Sequence, residues 1–523
     1  MHKNTLRMFG SAGLCFVAGI ASSLIGCAGS WPQVLDPTDI VTLREGTPRI
    51  QRVRDLGSAH IGKAGPLIAE SDGVLTVGEL LLIEGTGLGK QPTVGIASRA
   101  AEVRWRTEGG GIVVQLPPGT PSGIQTLWVE AGGKRAETQV SIRRLAVVLD
   151  ARHGRLHTVQ LSGERAQSLA VTAVGTPIAV PGARKVALSA DGSTAFVLQR
   201  DDSGNDRISV VDLVAPQGPR LHLTRPLQHQ VHSLLSAETA PVLAAVGPDQ
   251  VTLWDIREAR QPAAWPPSVL PEGCSAAYDA ALSPNGSLLA LPIAESNVVQ
   301  FVSLRSGRTA VTAQAAGQVS ALPQQKQALL QSLRFSSDGE TLWLSSGDRP
   351  SSWLGGHQPT RLLAIQIGAV DKETSARSFT VLKAVELRDA GAPLDLVLGK
   401  SPPIAAATTI RTPPEKATLF LTTVASASYS ADAAGRTPQS ALLRSDLTGN
   451  TQALWSGKAL LAGLDTTPDA QHTVSARVSP GAAGLSVTLT HVATGTSTSL
   501  SLGAAEVEDL EPTRSRVSVL VQP

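Results

Sequence analysis

Cysteine is the scarcest informative residue, since the 523-residue chain has 3 of them, Cys15, Cys27 and Cys274. So few exclude a disulfide framework, and no C-x-x-C pair offers a zinc site. An H-E-x-x-H helix and a G-x-S-x-G turn are also missing, which removes the common zinc-hydrolase signature and the nucleophile elbow. Charge of one sign is lacking: 45 Lys and Arg against 43 Asp and Glu leave a formal net charge of +2. Phosphate backbones need a concentrated positive field, so nucleic acid is excluded as a partner class. Aromatic residues make up only 3%, so a Trp or Tyr on a loop stands out. After the N-terminal segment no apolar run approaches the roughly 20 residues of a membrane span. No amphipathic helical repeat is both long and capped.

Glycine (49) and proline (34) are plentiful, together with Val, Leu, Ser and Thr. This composition predicts many short strands joined by turns, an all-β chain. The length exceeds what one hydrophobic core supports, so several domains or a repeat architecture are expected. At the start, Lys3 and Arg7 precede an apolar stretch that begins near Phe9 and ends in Leu24-Ile25-Gly26-Cys27. A basic start, an apolar core and small residues before a cut are the grammar of a secretory signal, assigned to residues 1–26. Residues 27–65 are polar and punctuated by Pro and Gly, and read as a tether. Residues 66–143 contain the apolar runs Leu80–Ile83, Ile112–Leu116 and Thr126–Val129 with alternating Val94 and Ile96, all bounded by Gly and Pro. A small β-sandwich follows from that pattern. Gly85, Gly87, Gly89 and Lys90 do not form a phosphate loop, because Gln91 stands where Ser or Thr is needed and Pro92 blocks the required helix.

From Leu145 the chain repeats. Ser189-Ala190-Asp191-Gly192, Ser283-Pro284-Asn285-Gly286 and Ser336-Ser337-Asp338-Gly339 each stand between apolar strands, and Thr467-Pro468-Asp469-Ala470 is a copy that has lost its glycine. Asp-Gly and Asn-Gly accept the positive φ of a tight hairpin. A further strand follows each corner, as in Ile208–Leu213, Val251–Ile256, Val298–Leu304 and Leu362–Ile367. The resulting unit of roughly 40–50 residues has the period of a propeller blade. Seven blades over 145–523 are expected, with residues 145–175 and 505–521 sharing one.

Three family resemblances attach to these residues. Leu24-Ile25-Gly26-Cys27 resembles the lipobox of bacterial lipoproteins, which implies cleavage before Cys27 and lipid on its thiol and new amine. Ala28 rather than aspartate follows, which by the same resemblance implies the outer membrane, with the body in the periplasm or at the cell surface. The run Glu84-Gly85-Thr86-Gly87-Leu88-Gly89, with Pro118-Gly119 and Gly123, resembles IPT/TIG immunoglobulin-like domains. The S-x-D-G turns and the strand Val210-Val211-Asp212-Leu213 resemble β-propellers of the YVTN/lactonase-like and WD-repeat type. A fold is implied by this, not an activity.

No convergent catalytic set is evident, and no cofactor is expected. Asp201, Asp202 and Asp206 offer the hard oxygens that Ca²⁺ prefers, but their spacing is not that of an EF-hand and reads as a solvated hairpin. Enlarged connections at Gln199–Arg207, Ser346–Thr360 and Ala425–Gln439 emerge on one propeller face and carry Asp201, Asp206, Arg349, Trp353, His357, Tyr429 and Arg436. Aromatic and Arg residues on long loops are suitable binding anchors. The sequence therefore predicts a non-enzymatic, membrane-anchored binding or scaffold module for an envelope protein or glycan. The alternatives are a lactonase-like propeller enzyme with a divalent metal in its channel, and a structural subunit of an envelope assembly. Cys27→Ser is expected to abolish incorporation of radiolabelled palmitate and to move the body from the membrane fraction to the soluble fraction. Both changes are read by fractionating labelled cells.

Overall fold

The computed structural model describes residues 47–56, 75–107, 109–162, 169–215, 217–257, 262–272, 280–293, 297–306, 311–321, 329–347, 360–370, 377–387, 392–398, 419–424, 439–445, 450–479, 481–505 and 517–523. Every regular element among them is a strand, and no helix there is long and apolar enough to cross a membrane. Nine strands come first: β1 (Arg49–Asp55), β2 (Leu75–Thr76), β3 (Leu80–Thr86), β4 (Thr93–Ile96), β5 (Arg99–Ala101), β6 (Val103–Arg106), β7 (Ile112–Gln115), β8 (Gly123–Ala131) and β9 (Lys134–Asp150). One sheet has the order β1-β3-β7-β6, and the other runs β9-β8-β4-β5 with β2 parallel to β9. Alternation along the strands turns Leu81, Ile83, Val94, Ile96, Ile112, Val114, Leu127 and Val129 into the space between the sheets. Two sheets sharing one apolar layer make a sandwich.

The tether expected over 27–65 is corrected by β1, which pairs antiparallel with β3 from Arg49↔Thr86 to Asp55↔Leu81. A bulge between Ile50 and Arg52 puts Ile50 and Val53 on the core despite their odd spacing. The period of 2 that announces a strand is thereby hidden in the sequence.

β9 links the two halves of the molecule. Its first part, through Ile142, pairs with β8, and its last part, from Arg144 to Asp150, pairs with β10 (Arg155–Ser162). The division expected between 143 and 145 therefore falls inside one unbroken strand. On the other side of β9 lies the closing strand Val517–Val521, in register from Val517↔Asp150 to Val521↔Ala146. With β11 (Ala170–Ala173) these strands form blade 1. Six more sheets of at least four strands follow, with inner strands Ala183–Leu188, Ser233–Ser236, Ala281–Leu282, Leu329–Phe335, Ala392–Leu398 and Leu460–Thr466. Each inner strand touches the next, the last touches the closing strand, and the closing strand touches the first. Among the described residues the strands thus form a closed ring of seven sheets, a β-propeller.

The repeated turns join the first and second strands of blades 2, 4, 5 and 7 with one hydrogen-bond pattern. In blade 2, Ser189 Oγ donates to Asp191 Oδ1 (2.6 Å), which also accepts the Ser193 N–H (3.0 Å), while Thr194 N donates to Ser189 Oγ (3.0 Å). Asn285, Asp338 and Asp469 take the Asp191 role in the other copies. Gly192 sits at φ 75°, and Ala470 is forced to φ 55° where its siblings have glycine, a position that strains a Cβ.

A buried group of polar contacts locks the sandwich to the ring. Gln522, 0% exposed, donates from its backbone N to the Leu145 carbonyl (2.9 Å) and accepts the Leu145 N–H on its side chain (2.8 Å). Its Nε2 donates to Gly192 O (2.7 Å) in the ring and to Val77 O (3.3 Å) in the sandwich. Arg144 donates to Gln522 O (2.6 Å), Pro523 O (3.0 Å) and Thr120 O. Burial lowers the Arg144 pKa to about 10, so the guanidinium stays charged at neutral pH. Gln115 Nε2 reaches Asp191 Oδ2 at 3.0 Å. Gly78 lies so close to this turn that a Cβ would stand 2.5 Å from Asp191 O. Gln522→Ala would leave several buried groups unpaired, and is expected to destabilise the protein by about 2 kcal/mol. Urea unfolding measures the loss, and faster protease cleavage near Arg143 is expected with it.

Candidate binding face

Successive strands of a blade alternate in direction, so the turn between strands one and two and the loop between strands two and three open on opposite faces. In blade 2 the second strand, Thr194–Arg200, starts at the Asp191 turn against the sandwich and ends at the loop 201–205. This places the loop face on the side of the ring away from the sandwich.

The hairpin pairs Arg200 with Asp206 across the loop. Arg200 Nε donates to Asp206 Oδ1 (2.9 Å), and Arg184 Nη2 (2.9 Å) and the Val231 N–H (2.6 Å) both donate to Oδ2. Val231 leads into blade 3, so one carboxylate clamps two blades together. Asp206 is 2% exposed, and both its oxygens are taken up inside the protein. Burial pushes its pKa up. The hydrogen bonds from Arg200 and Val231, with the charges of Arg184 and Arg200, outweigh burial and hold it below the usual carboxylate range. Asp201 closes the same loop, accepting the Asn205 N–H at 2.9 Å, and Asp202 is exposed. Asp201 and Asp206 thus serve different internal contacts. Among the described residues no group of three or more His, Cys, Asp or Glu is placed to hold a metal.

A second polar cluster lies at the loop end of blade 1. His153 Nδ1 is 2.8 Å from Asp150 Oδ2, and the His153 N–H donates to Oδ1 (3.2 Å). His157 is buried on β10. Burial lowers its pKa and the charges of Arg155 and His153 add to the effect, against the opposing charge of Asp150. Arg349, Trp353, His357, Tyr429 and Arg436, like Leu24, Ile25, Gly26, Cys27 and Cys274, lie outside the described residues. Sequence reasoning missed Arg184 and Arg200. A signal for Arg200 was present, since it and Asp206 flank the loop symmetrically.

No family model matches the chain. No curated protein matches it either. Among solved structures, the chain is similar in path to two proteins each described as a “putative 6-phosphogluconolactonase”. The one from Bacteroides fragilis is 13% identical, with a TM-score of 0.45 over 73% of this chain and 98% of that one. The one from Bacteroides uniformis is 11% identical, with a TM-score of 0.44 over 72% and 99%. The periplasmic gluconolactonase of Pseudomonas aeruginosa is 15% identical, with a TM-score of 0.38 over 64% and 93%. Against the expectation of a chain without enzymatic activity, these three neighbours carry the names of enzymes. No catalytic motif in the sequence had pointed that way.

Asp206→Asn is expected to cost about 3 kcal/mol at pH 7, the scale for breaking a buried ion pair. The folded-state pKa of Asp206 is depressed, so its stabilisation is fully present above the unfolded value of about 3.9 and is lost as pH falls through the lower folded value. The gap between wild type and variant in urea unfolding should therefore narrow below about pH 4.

Proposed function

We propose that this chain is a membrane-tethered recognition protein that presents the loop face of its propeller to a protein or glycan of the bacterial envelope. The carrying observation is that the sandwich and the loop 201–205 lie at opposite ends of the strand Thr194–Arg200. Chain entering from the N-terminal side joins the sandwich through β1, and the loop 201–205 lies across the ring from that attachment. A lipid on Cys27 would anchor the module at the outer membrane, as the lipobox-like residues suggest, and leave this face clear of the anchoring domain. The Arg200–Asp206–Arg184 clamp supports the reading because it gives the loop a rigid base. Trp353, Tyr429 and Arg436 are the anchors expected on the longer loops, with Asp201, Arg349 and His357 expected beside them.

A second reading is hydrolysis of a small lactone, favoured by the carboxylate-oriented imidazole of Asp150 and His153 at 2.8 Å. An imidazole held this way can take a proton from water attacking a carbonyl.

Cross-linking in intact cells followed by mass spectrometry tests the first reading. One envelope component should be captured by wild type and reduced about tenfold by Trp353→Ala or Tyr429→Ala, the usual scale of an interface anchor. Equal capture by wild type and both variants would overturn it. Turnover of gluconolactone by the purified chain, abolished by His153→Ala, would put the second reading first.

A further inference from the structure

Among the described residues, six of the seven seams between neighbouring sheets are apolar on the broad faces of both. The seam between blades 6 and 7 is built differently. Blade 6 offers Phe420, Leu442, Leu454 and Trp455, while the apolar contribution of blade 7 comes from Leu461 and Leu464 on its inner strand and from Val492. The second and third strands of blade 7, His472–Val478 and Gly481–His491, turn Val474, Ala476, Val487 and Leu489 toward blade 1. Alternation then turns Thr473, Ser475 and Arg477 toward blade 6, paired across the ladder with Thr490, Thr488 and Ser486.

Thr488 bonds to Ser499 (2.8 Å) and Ser486 to the Arg477 carbonyl (3.5 Å), but the buried side-chain polar atoms of the other four have no partner among the described residues. Thr473, Ser475 and Thr490 are 0%, 1% and 0% exposed, and among the described residues none of their hydroxyls makes a hydrogen bond. Arg477 Nε and Nη2 are likewise buried and unbonded, and no carboxylate among the described residues pairs with this side chain. Its guanidinium lies 4.2 Å from the centre of the Trp455 ring. That ring occupies the space where Gly457 lacks a side chain, since a Cβ there would come within 2.7 Å of it. Burial lowers the Arg477 pKa to about 10, leaving it charged at neutral pH. Arg144, lowered to about 10 by the same cause, spends its donors on three carbonyls. Arg477 has no such outlet, and a cation withdrawn from water without a counter-charge is costly. The side chain as a whole remains partly exposed, which leaves a route from solvent.

We propose that the seam between blades 6 and 7 binds a small oxyanion, a carboxylate or phosphate group, through the Arg477 guanidinium and the Ser475 hydroxyl. A guanidinium fork, with a hydroxyl two residues away on the same face of the strand, supplies the donors such an anion needs. Arg477 lies toward the end of its strand remote from the Asp469 turn, and therefore toward the loop face. The site deepens the recognition reading by naming an acidic group on the ligand, and it rests on that reading only for who delivers the anion.

Calorimetric titration of the purified full chain with sodium phosphate and with sodium acetate, at ionic strength fixed by NaCl, tests this. Saturable binding of one oxyanion is expected, with phosphate or acetate identifying the source chemistry. Arg477→Met should weaken it at least about tenfold and Ser475→Ala by a smaller factor, the scale of lost charge-assisted hydrogen bonds. Circular dichroism checks that each variant is folded, and Ser475→Ala stands as the test if Arg477→Met is not. No saturable binding to folded wild type, or equal binding by the variants, would overturn the proposal. Anion binding without partner capture sinks only the recognition reading; capture without anion binding sinks only this site.

Discussion

The pairing of the closing strand Val517–Val521 with β9 is the constraint on which the rest of the molecule depends. A ring of sheets has no natural end, so its first and last strands must meet, and here they meet on the strand that also builds the sandwich. Gln522 continues the closing strand and bonds to Leu145, Gly192 and Val77, reaching both domains from one side chain. Closure of the ring and docking of the sandwich are therefore one cooperative event. Their shared hydrogen bonds are buried, where the loss of a partner is most expensive.

Most of the fold was legible because its signals are local. The Asp-Gly and Asn-Gly turns at Asp191, Asn285 and Asp338 mark hairpins through their φ requirement, and the structure puts each at the first corner of a blade. What was hidden depends on partners far away in sequence. The bulge in β1 breaks the alternation that announces a strand. The passage of β9 from one domain to the next leaves no break in composition, and the bonds of Gln522 to residues more than 300 positions away have no local trace.

The candidate site was less legible for the same reason. Asp206 looked like an exposed loop carboxylate, and only tertiary contact with Arg184 and Val231 turns it into a buried clamp. Arg477 shows the opposite: the alternating stretch His472–Val478 advertises a strand, but nothing in it reveals that the facing blade supplies Phe420 and Trp455 instead of a carboxylate. Buried charges on this scaffold thus divide into those that find partners within the ring, as Asp206 does, and those with none among the described residues, such as Arg477.

The continuity of β9 also has a mechanical meaning. A load applied to the sandwich enters the propeller along the axis of that strand, whose ladders to β10 and to the closing strand lie on both sides. Ladder hydrogen bonds run across the strands, so traction along β9 strains them together in shear instead of unzipping them singly. The joint is suited to hold fast under tension between the sandwich and the propeller.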